Sequence, residues 1–334
     1  MRLSVIIVGY NAENYLANCL QSVFDQSLPA DDYEVIYVDN HSRDQSVALV
    51  HEQFPTVTVL ARSDNAGYYG GFNWAAAETA QGDYLLALPQ DTVLHHDCLR
   101  ELVQAADDDP QLMVGLVNTI NPNAPEYGAQ DRQARPDHVY WCATNRFGQT
   151  NLVQYPFFET PRSILAYSGV AALIRRSAQD DLLGYFDERL SHLVGDSELG
   201  IRANVLGYAC KIVPTAVVFH IEDNKQFNNP GFLRNAFEGA RDSVVIYLKL
   251  MNLWEFVLFA PLLLIGQASK VFTLRFPVWQ RALLFIPASG LSPVTFALAL
   301  RRAPTFAADR RVLLARRPGG YFRLLSLIVR RALG

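Results

Sequence analysis

The sequence predicts an α/β architecture, a mostly parallel sheet with helices on both faces, followed by an apolar and basic helical segment. Three observations predict it. Through the first 120 residues, continuous apolar runs alternate with stretches whose apolar residues recur at helical spacing. The apolar runs show no in–out alternation, which is the pattern of strands buried on both faces. Four of the runs end in polar or glycine-bearing segments, at the carboxyl edge where such sheets bind ligands.

The elements follow in order. Residues 3–8 read as a strand, and residues 14–24 place Tyr15, Leu16, Cys19, Leu20 and Val23 at helical spacing. A strand over 33–38 precedes a helix over 45–54, and a strand over 57–60 precedes an alanine-rich helix over 72–80. A strand over 84–88 precedes a helix over 98–106, and 113–117 is a further strand. Residues 121–160 are irregular and rich in Pro, Asn, Tyr and Arg, a long excursion with room for a hairpin. Regular structure resumes over 169–174, with a helix near 177–183 and another over 197–206. Short strands around 209–213 and 217–219 and an amphipathic helix over 232–252 complete the series.

The bulk numbers narrow the class. Half of the 334 residues are hydrophobic and 19% are charged, a globular balance with an unusually apolar portion. The net charge of −4 conceals an asymmetry. From Lys270 onward there are 12 basic residues and one acid, Asp309, a tail of +11 behind a body of −15. Two stretches, 256–269 and 282–300, carry no charge, and the second is broken by Pro287, Gly290 and Pro293. Three arrangements fit this tail: helices packed on the body or forming a homodimer contact, helices lying in a membrane surface, or helices crossing it. The basic residues beside the apolar stretches favour an anionic membrane surface. The tail is too apolar, and lacks the polar groove-reading element, for nucleic acid to be the partner. Cys19, Cys98, Cys142 and Cys210 are far apart with no CxxC pair, so they read as reduced thiols of a cytoplasmic protein. The N-terminal apolar run, 5–8, is too short for a secretory signal.

Four segments after strands carry polar chemistry: Gly9-Tyr10-Asn11-Ala12-Glu13, Asp39-Asn40-His41-Ser42-Arg43-Asp44, Asn65 to Asn73, and Pro89-Gln90-Asp91. Singly each is weak, since a strand-end Asp such as Asp39 or Asp44 also serves as a helix N-cap. The first loop lacks the GxGxxG of a nicotinamide dehydrogenase and the glycine-rich, basic loop a nucleotidyltransferase needs for a triphosphate.

Taken together in order, the segments SVIIVGYNAENYLANCLQSVFDQ, EVIYVDNHSRDQS, NAGYYGGFNWAAAETAQGDYLLALPQD and LLGYFDERLSHLVGDSELGIRANVLGYACKIVPTAVVFH resemble glycosyltransferase family 2, inverting enzymes of the Rossmann-like GT-A fold. The pattern is most similar to a rhamnosyltransferase-like bacterial branch that builds surface polysaccharides. The resemblance implies a GT-A catalytic domain over 1–230, with a nucleotide-sugar half of about 1–120 and an acceptor and base half of about 121–230. A helical, membrane-associated region over 231–334 would follow.

It also implies roles. Tyr10, Asn11 and Glu13 would line the nucleoside pocket, and Asp39 would hydrogen-bond base or ribose. Asn65, Gly67 and Asn73 would bend under the diphosphate and donor sugar, with Gln90 beside them. Asp91 stands at the last position of the metal-binding acidic motif, where Mg²⁺ or Mn²⁺ would neutralise the departing diphosphate. Gln90 leaves that motif one carboxylate, so a second ligand gains weight, and His220 stands where the family often places a histidine. A lone histidine after an apolar strand also serves structurally. Asp196 occupies the base position, with Gly195 in place of the commoner glutamate. Asp196 as a helix N-cap, with Glu198 pairing Arg202 at i,i+4, fits the same residues. Asp187, Glu188 and Glu198 are the other carboxylates in reach. The partners implied are a nucleoside-diphosphate sugar, L-rhamnose being one candidate sugar, a glycan or lipid-linked acceptor, and the inner face of the cell membrane. The departures at Gln90 and Gly195 leave a second reading, a nucleotide-sugar-binding protein whose chemistry has degenerated.

Overall fold

The computed structural model describes residues 1–120, 138–144, 150–166, 170–191, 194–221, 232–269 and 293–316, with Leu324 and Leu327. The first 94 residues run β1 (Leu3–Gly9), α1 (Leu16–Phe24), β2 (Tyr33–Asp39), α2 (Ser46–Gln53), β3 (Thr58–Ala61), α3 (Gly67–Glu78), β4 (Tyr84–Pro89) and β5 (Thr92–Leu94). Then come α4 (Cys98–Asp108), β6 (Leu112–Ile120), the antiparallel pair β7 (His138–Thr144) and β8 (Thr150–Pro156), β9 (Arg162–Ser163) and β10 (Ala172–Arg175). α5 (Gly195–Val205), β11 (Ala209–His220), α6 (Phe232–Leu250) and α7 (Leu253–Ser269) follow, then a helix over 293–302, α8, and α9 (Ala307–Arg316).

The main sheet has the order β3-β2-β1-β4-β10-β6-β11-β5, with β9 on β11. β3, β2, β1 and β4 are mutually parallel, as expected of the first half. Beyond β4 the sheet is mixed: β10 enters antiparallel between β4 and β6, and β5 and β9 pair antiparallel with β11. The two strands expected over 209–219 are one strand whose register on β6 shifts between Val213 and Val217.

Strand residues divide strictly between two cores. Val5, Ile7, Val35, Tyr37, Leu86 and Leu88 face the cluster under α1, α2 and α4. Ile6, Val8, Ile36, Val38, Leu85 and Ala87 face the cluster under α3 and α5. Helices therefore cover both faces, which is why these strands are apolar at every position.

Two helices differ from expectation. α3 begins at Gly67 rather than near 72, because Gly71 lets it settle on β1: a Cβ there would meet Val8 Cγ1 at 2.8 Å. The helix expected near 177–183 is only a 3₁₀ turn, Arg176–Ala178, and the chain then turns through Leu183 and Gly184 at φ 59° and 95°. Consecutive left-handed residues cannot continue a right-handed helix.

The described C-terminal helices pack on the body. A third cluster joins Leu190, Val194, Ile201 and Val205 to Tyr247, Phe256, Phe259, Phe306 and Leu313. Of the stretch 282–300, residues 282–292 lie outside the described residues. Among the described residues, no helix is long and apolar enough to cross a membrane.

Candidate active site

The parallel register sets the ends of β1, β2 and β4 level, Gly9 beside Asp39 and Val8 beside Pro89. The loops that follow therefore meet at one edge, and their polar side chains bind them to each other. Asn11, in the left-handed region at φ 51°, donates its backbone N–H to Ser42 Oγ, and its side-chain Oδ1 accepts from the Arg43 N–H. Glu13 exchanges the same kind of bond: its N–H reaches Asp44 Oδ2 at 3.0 Å, and its carboxylate accepts from the Gln45 N–H at 3.0 Å. Ala12 N–H donates to Ser46 Oγ. Asp39 is buried, accepting from the Ser42 N–H at 2.9 Å and from the Tyr37 hydroxyl at 3.2 Å. Asp44 also receives the Ser46 N–H and hydroxyl at the start of α2. Tyr10, 44% exposed, presents a large apolar surface beside the exposed Asn11 and Glu13.

Gln90, where a second carboxylate was sought, has a fixed task. Its Oε1 accepts from the Tyr10 N–H at 2.7 Å and its amide approaches the Tyr10 carbonyl, so it clasps β4 to the first loop. A carboxylate could accept that N–H but could not donate back.

At the start of α3, Asn65 Oδ1 accepts from the Gly67 N–H at 2.9 Å, and the Gly67 carbonyl accepts from Asn40 Nδ2. Asn73, further along, points away from this turn. It donates to the Phe186 carbonyl and to Glu188, and accepts from the Phe186 N–H. It is a strap between α3 and the segment before α5.

Asp91 and His220 meet. β5 pairs with the end of β11, placing His220 against Thr92, and the Ile221 N–H donates to the Asp91 carbonyl. His220 Nε2 lies 3.3 Å from Asp91 Oδ2, and both side chains are partly exposed. A carboxylate and an imidazole converging at an open edge would offer one oxygen and one nitrogen donor to a divalent ion. No group of three or more ligating side chains occurs among the described residues.

Asp196 lies in the first turn of α5, after the N-cap Val194, and no side chain caps this helix. Its partner is Tyr69 on α3. The Tyr69 hydroxyl accepts from the Asp196 N–H at 3.2 Å and also hydrogen-bonds the Asp196 carboxylate. Burial, then the charge of Asp196, pushes the Tyr69 hydroxyl well above the usual tyrosine range, so it stays a donor. The neighbouring Tyr68 hydroxyl is raised too, by burial and then by Asp196 and Asp91 in turn.

The same pair explains Gly195. A Cβ there would lie 2.3 Å from the Tyr69 ring, so the tyrosine occupies the room a glutamate would take. Sequence reasoning missed Tyr69, although its place in the glycine-rich segment was the available signal. It also missed Ser42, Ser46 and Tyr37, the partners of the expected residues.

The other carboxylates are engaged. Glu198 is fully buried, paired with Arg202 at 3.0 Å, the expected i,i+4 contact, and with Lys249 at 2.8 Å. Asp187 meets Arg189 and Lys249, each at 2.7 Å. Burial alone would raise its carboxyl, but Arg189 and Lys249 hold it well below the usual range. Glu188 is exposed and accepts from Asn73. Cys19 is buried, its thiol pushed up to about 12 by burial, and Cys98 and Cys210 are buried thiols.

The profile of glycosyl transferase family 2 matches residues 4–183. A poly(ribitol-phosphate) β-glucosyltransferase of Bacillus spizizenii is 32% identical over 125 residues, 36% of this chain and 20% of that protein. A dolichyl N-acetyl-α-D-glucosaminyl phosphate 3-β-D-2,3-diacetamido-2,3-dideoxy-β-D-glucuronosyltransferase of Methanococcus voltae is 24% identical over 172 residues, 47% of this chain and 53% of that one. These matches span about a fifth and about half of the relatives' own lengths. Among solved structures, GalNAc-T7 with UDP, GalNAc and Mn²⁺ superposes with a TM-score of 0.63 at 16% identity, covering 81% of this chain and 51% of that one. Residues 1–349 of Staphylococcus aureus TarS superpose with a TM-score of 0.55 at 17% identity, covering 99% and 92%. The α/β sheet, the loops at its carboxyl edge and the matched profile lead to one assignment: the chain belongs to glycosyltransferase family 2 and has the GT-A fold.

Proposed function

We propose that the enzyme transfers a sugar with inversion from a nucleoside-diphosphate sugar to a hydroxyl of a glycan or lipid-linked acceptor in surface polysaccharide assembly. One observation carries this reading: Asp91 and His220, far apart in the chain, come within 3.3 Å of each other where β5 meets the end of β11. The Tyr10 ring packs on the nucleoside, in a pocket whose shape is set by Asn11, Glu13, Asp39 and Gln90. The turn of Asn65 and Gly67 opens α3 toward the diphosphate, where helix amides favour negative charge. Asn73 supports the donor side by holding Phe186 in place. Asp196 takes the proton of the acceptor hydroxyl as its oxygen bonds to the anomeric carbon and the bond to the diphosphate breaks. Asp91 and His220 would hold Mg²⁺ or Mn²⁺, whose charge would neutralise the departing diphosphate. The enzyme works in the cytoplasm, peripherally on the inner face of the cell membrane, a place supported by the +11 tail.

The donor sugar is L-rhamnose on the resemblance of the sequence, whereas the Bacillus spizizenii relative is named for glucose. A hydrolysis and thermal-shift panel of dTDP-rhamnose, UDP-glucose and UDP-N-acetylglucosamine, with and without Mn²⁺, decides between them. With the donor found, Asp196→Asn lowers transfer by about 10² to 10⁴ while donor binding survives. Asp91→Ala abolishes both turnover and metal-induced stabilisation. Full wild-type activity in EDTA removes the metal role, and near-normal transfer by Asp196→Asn removes the base.

A further inference from the structure

α7 is apolar on every side, and only one side is covered. Phe256, Phe259 and Leu263 pack inward, Phe259 against Tyr247 with ring centroids 5.3 Å apart. Glu255, its single acid, is fully buried, exchanging hydrogen bonds with Asn252: its carboxylate accepts the Asn252 N–H, and its own N–H donates to Asn252 Oδ1. The outer side is a single stripe of exposed residues, Leu253, Trp254, Val257, Leu258, Leu262 and Ile265. Trp254 is 69% and Leu258 61% exposed, and no residue of the stripe carries a charge. A contiguous apolar patch of this kind marks a surface that is covered in use.

The charges around it say by what. Arg310 donates to the Met251 carbonyl, two residues before the stripe begins. α8 stacks Phe296 on Phe256 at 5.5 Å, exposes Val294 and Leu300, and runs into the exposed Arg301. The nearby acid Asp309 is taken by Arg189. The charges described beside it, Arg301 and Arg310, are both basic. A second copy docking by two-fold symmetry would bring these arginines against their own images. An anionic bilayer suits both features: the stripe enters the headgroup–acyl boundary, with Trp254 at the depth tryptophan prefers, and the arginines meet lipid phosphates. α7 has 17 residues and would lie in the membrane plane.

We propose that the outward face of α7 is the surface by which this enzyme rests on an anionic bilayer and takes its acceptor from it. The proposal builds on the lipid-linked acceptor reading above. α7 shares the third core with Val194, Ile201 and Val205 around α5, the helix that carries Asp196.

The test is flotation of the full-length protein with vesicles of phosphatidylethanolamine and phosphatidylglycerol, against phosphatidylcholine alone. The wild type floats with the anionic vesicles, less so in high salt. The double variant Trp254→Glu with Leu258→Glu loses about tenfold of the bound fraction. Both side chains point to solvent, so its melting temperature and its donor hydrolysis in solution stay at wild-type values. A double variant that floats as well as the wild type overturns the α7 face and leaves membrane docking to another surface. A wild type that ignores anionic vesicles, and is a dimer the double variant splits, makes the face a contact between copies and overturns both.

Discussion

At the ends of β1 and β2, polar side chains hold the backbone amides of the facing loop, whereas around α5 buried charges hold one another. Asn11, Glu13, Asp39 and Asp44 each accept a neighbouring N–H, and most of these bonds are exposed or partly so. Asp187, Glu198, Arg202 and Lys249 are buried and linked in a chain that Lys249 closes from α6. Arg202 also donates to the carbonyls of Leu182, Gly184 and Tyr185, fixing the turn before α5. The β1–β2 edge is thus a sum of small, separable contributions. The region around α5 is a few large, coupled ones, and it is built partly by the C-terminal helices.

The comparison is broken most forcefully at Lys249. Lys249→Met leaves Asp187 and Glu198 short of a cation in a dry interior, and unfolding free energy falls by about 3–5 kcal/mol in a urea titration. A loss below about 1 kcal/mol would mean the network is as soft as the β1–β2 edge. Next comes Gly195→Ala, whose methyl must displace the Tyr69 ring, costing about 1–3 kcal/mol. Tyr69→Phe sharpens that result: the fold is kept, but Asp196 loses its hydroxyl partner and transfer falls about tenfold, the size of one charge-assisted hydrogen bond. If Gly195→Ala destabilises without touching transfer, Tyr69 is packing alone. Smallest is Asn11→Ala, about 1 kcal/mol in the same titration, with weaker donor binding.

Acid adds an independent axis. The Asp187 carboxyl is depressed in the folded protein, so its contribution is complete above the unfolded value, about pH 4, and is lost as pH falls through the folded value. The stability gap between wild type and Asp187→Asn therefore narrows as pH drops below about 4. A gap that stays constant there would dissociate Asp187 from its cations.

Much of this was legible from the chain. The parallel strands were, because a strand buried on both faces must be apolar throughout, and the ends of such strands must carry the chemistry. Asp91 and His220 were named from their positions and stand together. What was hidden depended on distance in sequence. Ala172–Arg175 is an apolar run that carries no mark of direction, so its antiparallel entry could not be read. Tyr69 and Gly195 explain each other only once α3 and α5 touch. The i,i+4 pair of Glu198 with Arg202 was visible, but its burial was not, because the lysine that makes it tolerable comes from a later helix. In the tail, a count of apolar residues could not separate the half that is core from the half that faces out.

The position of β10 bears on how the molecule comes to exist. Because β10 sits between β4 and β6, a nascent chain that has emerged only to residue 120 holds two strands with open edges and nothing yet made to join them. Such edges invite pairing with other chains. The first 120 residues therefore lack the strand that joins β4 to β6. Closure waits for residues 172–175, and a fragment cut at the apparent boundary would be sticky rather than small.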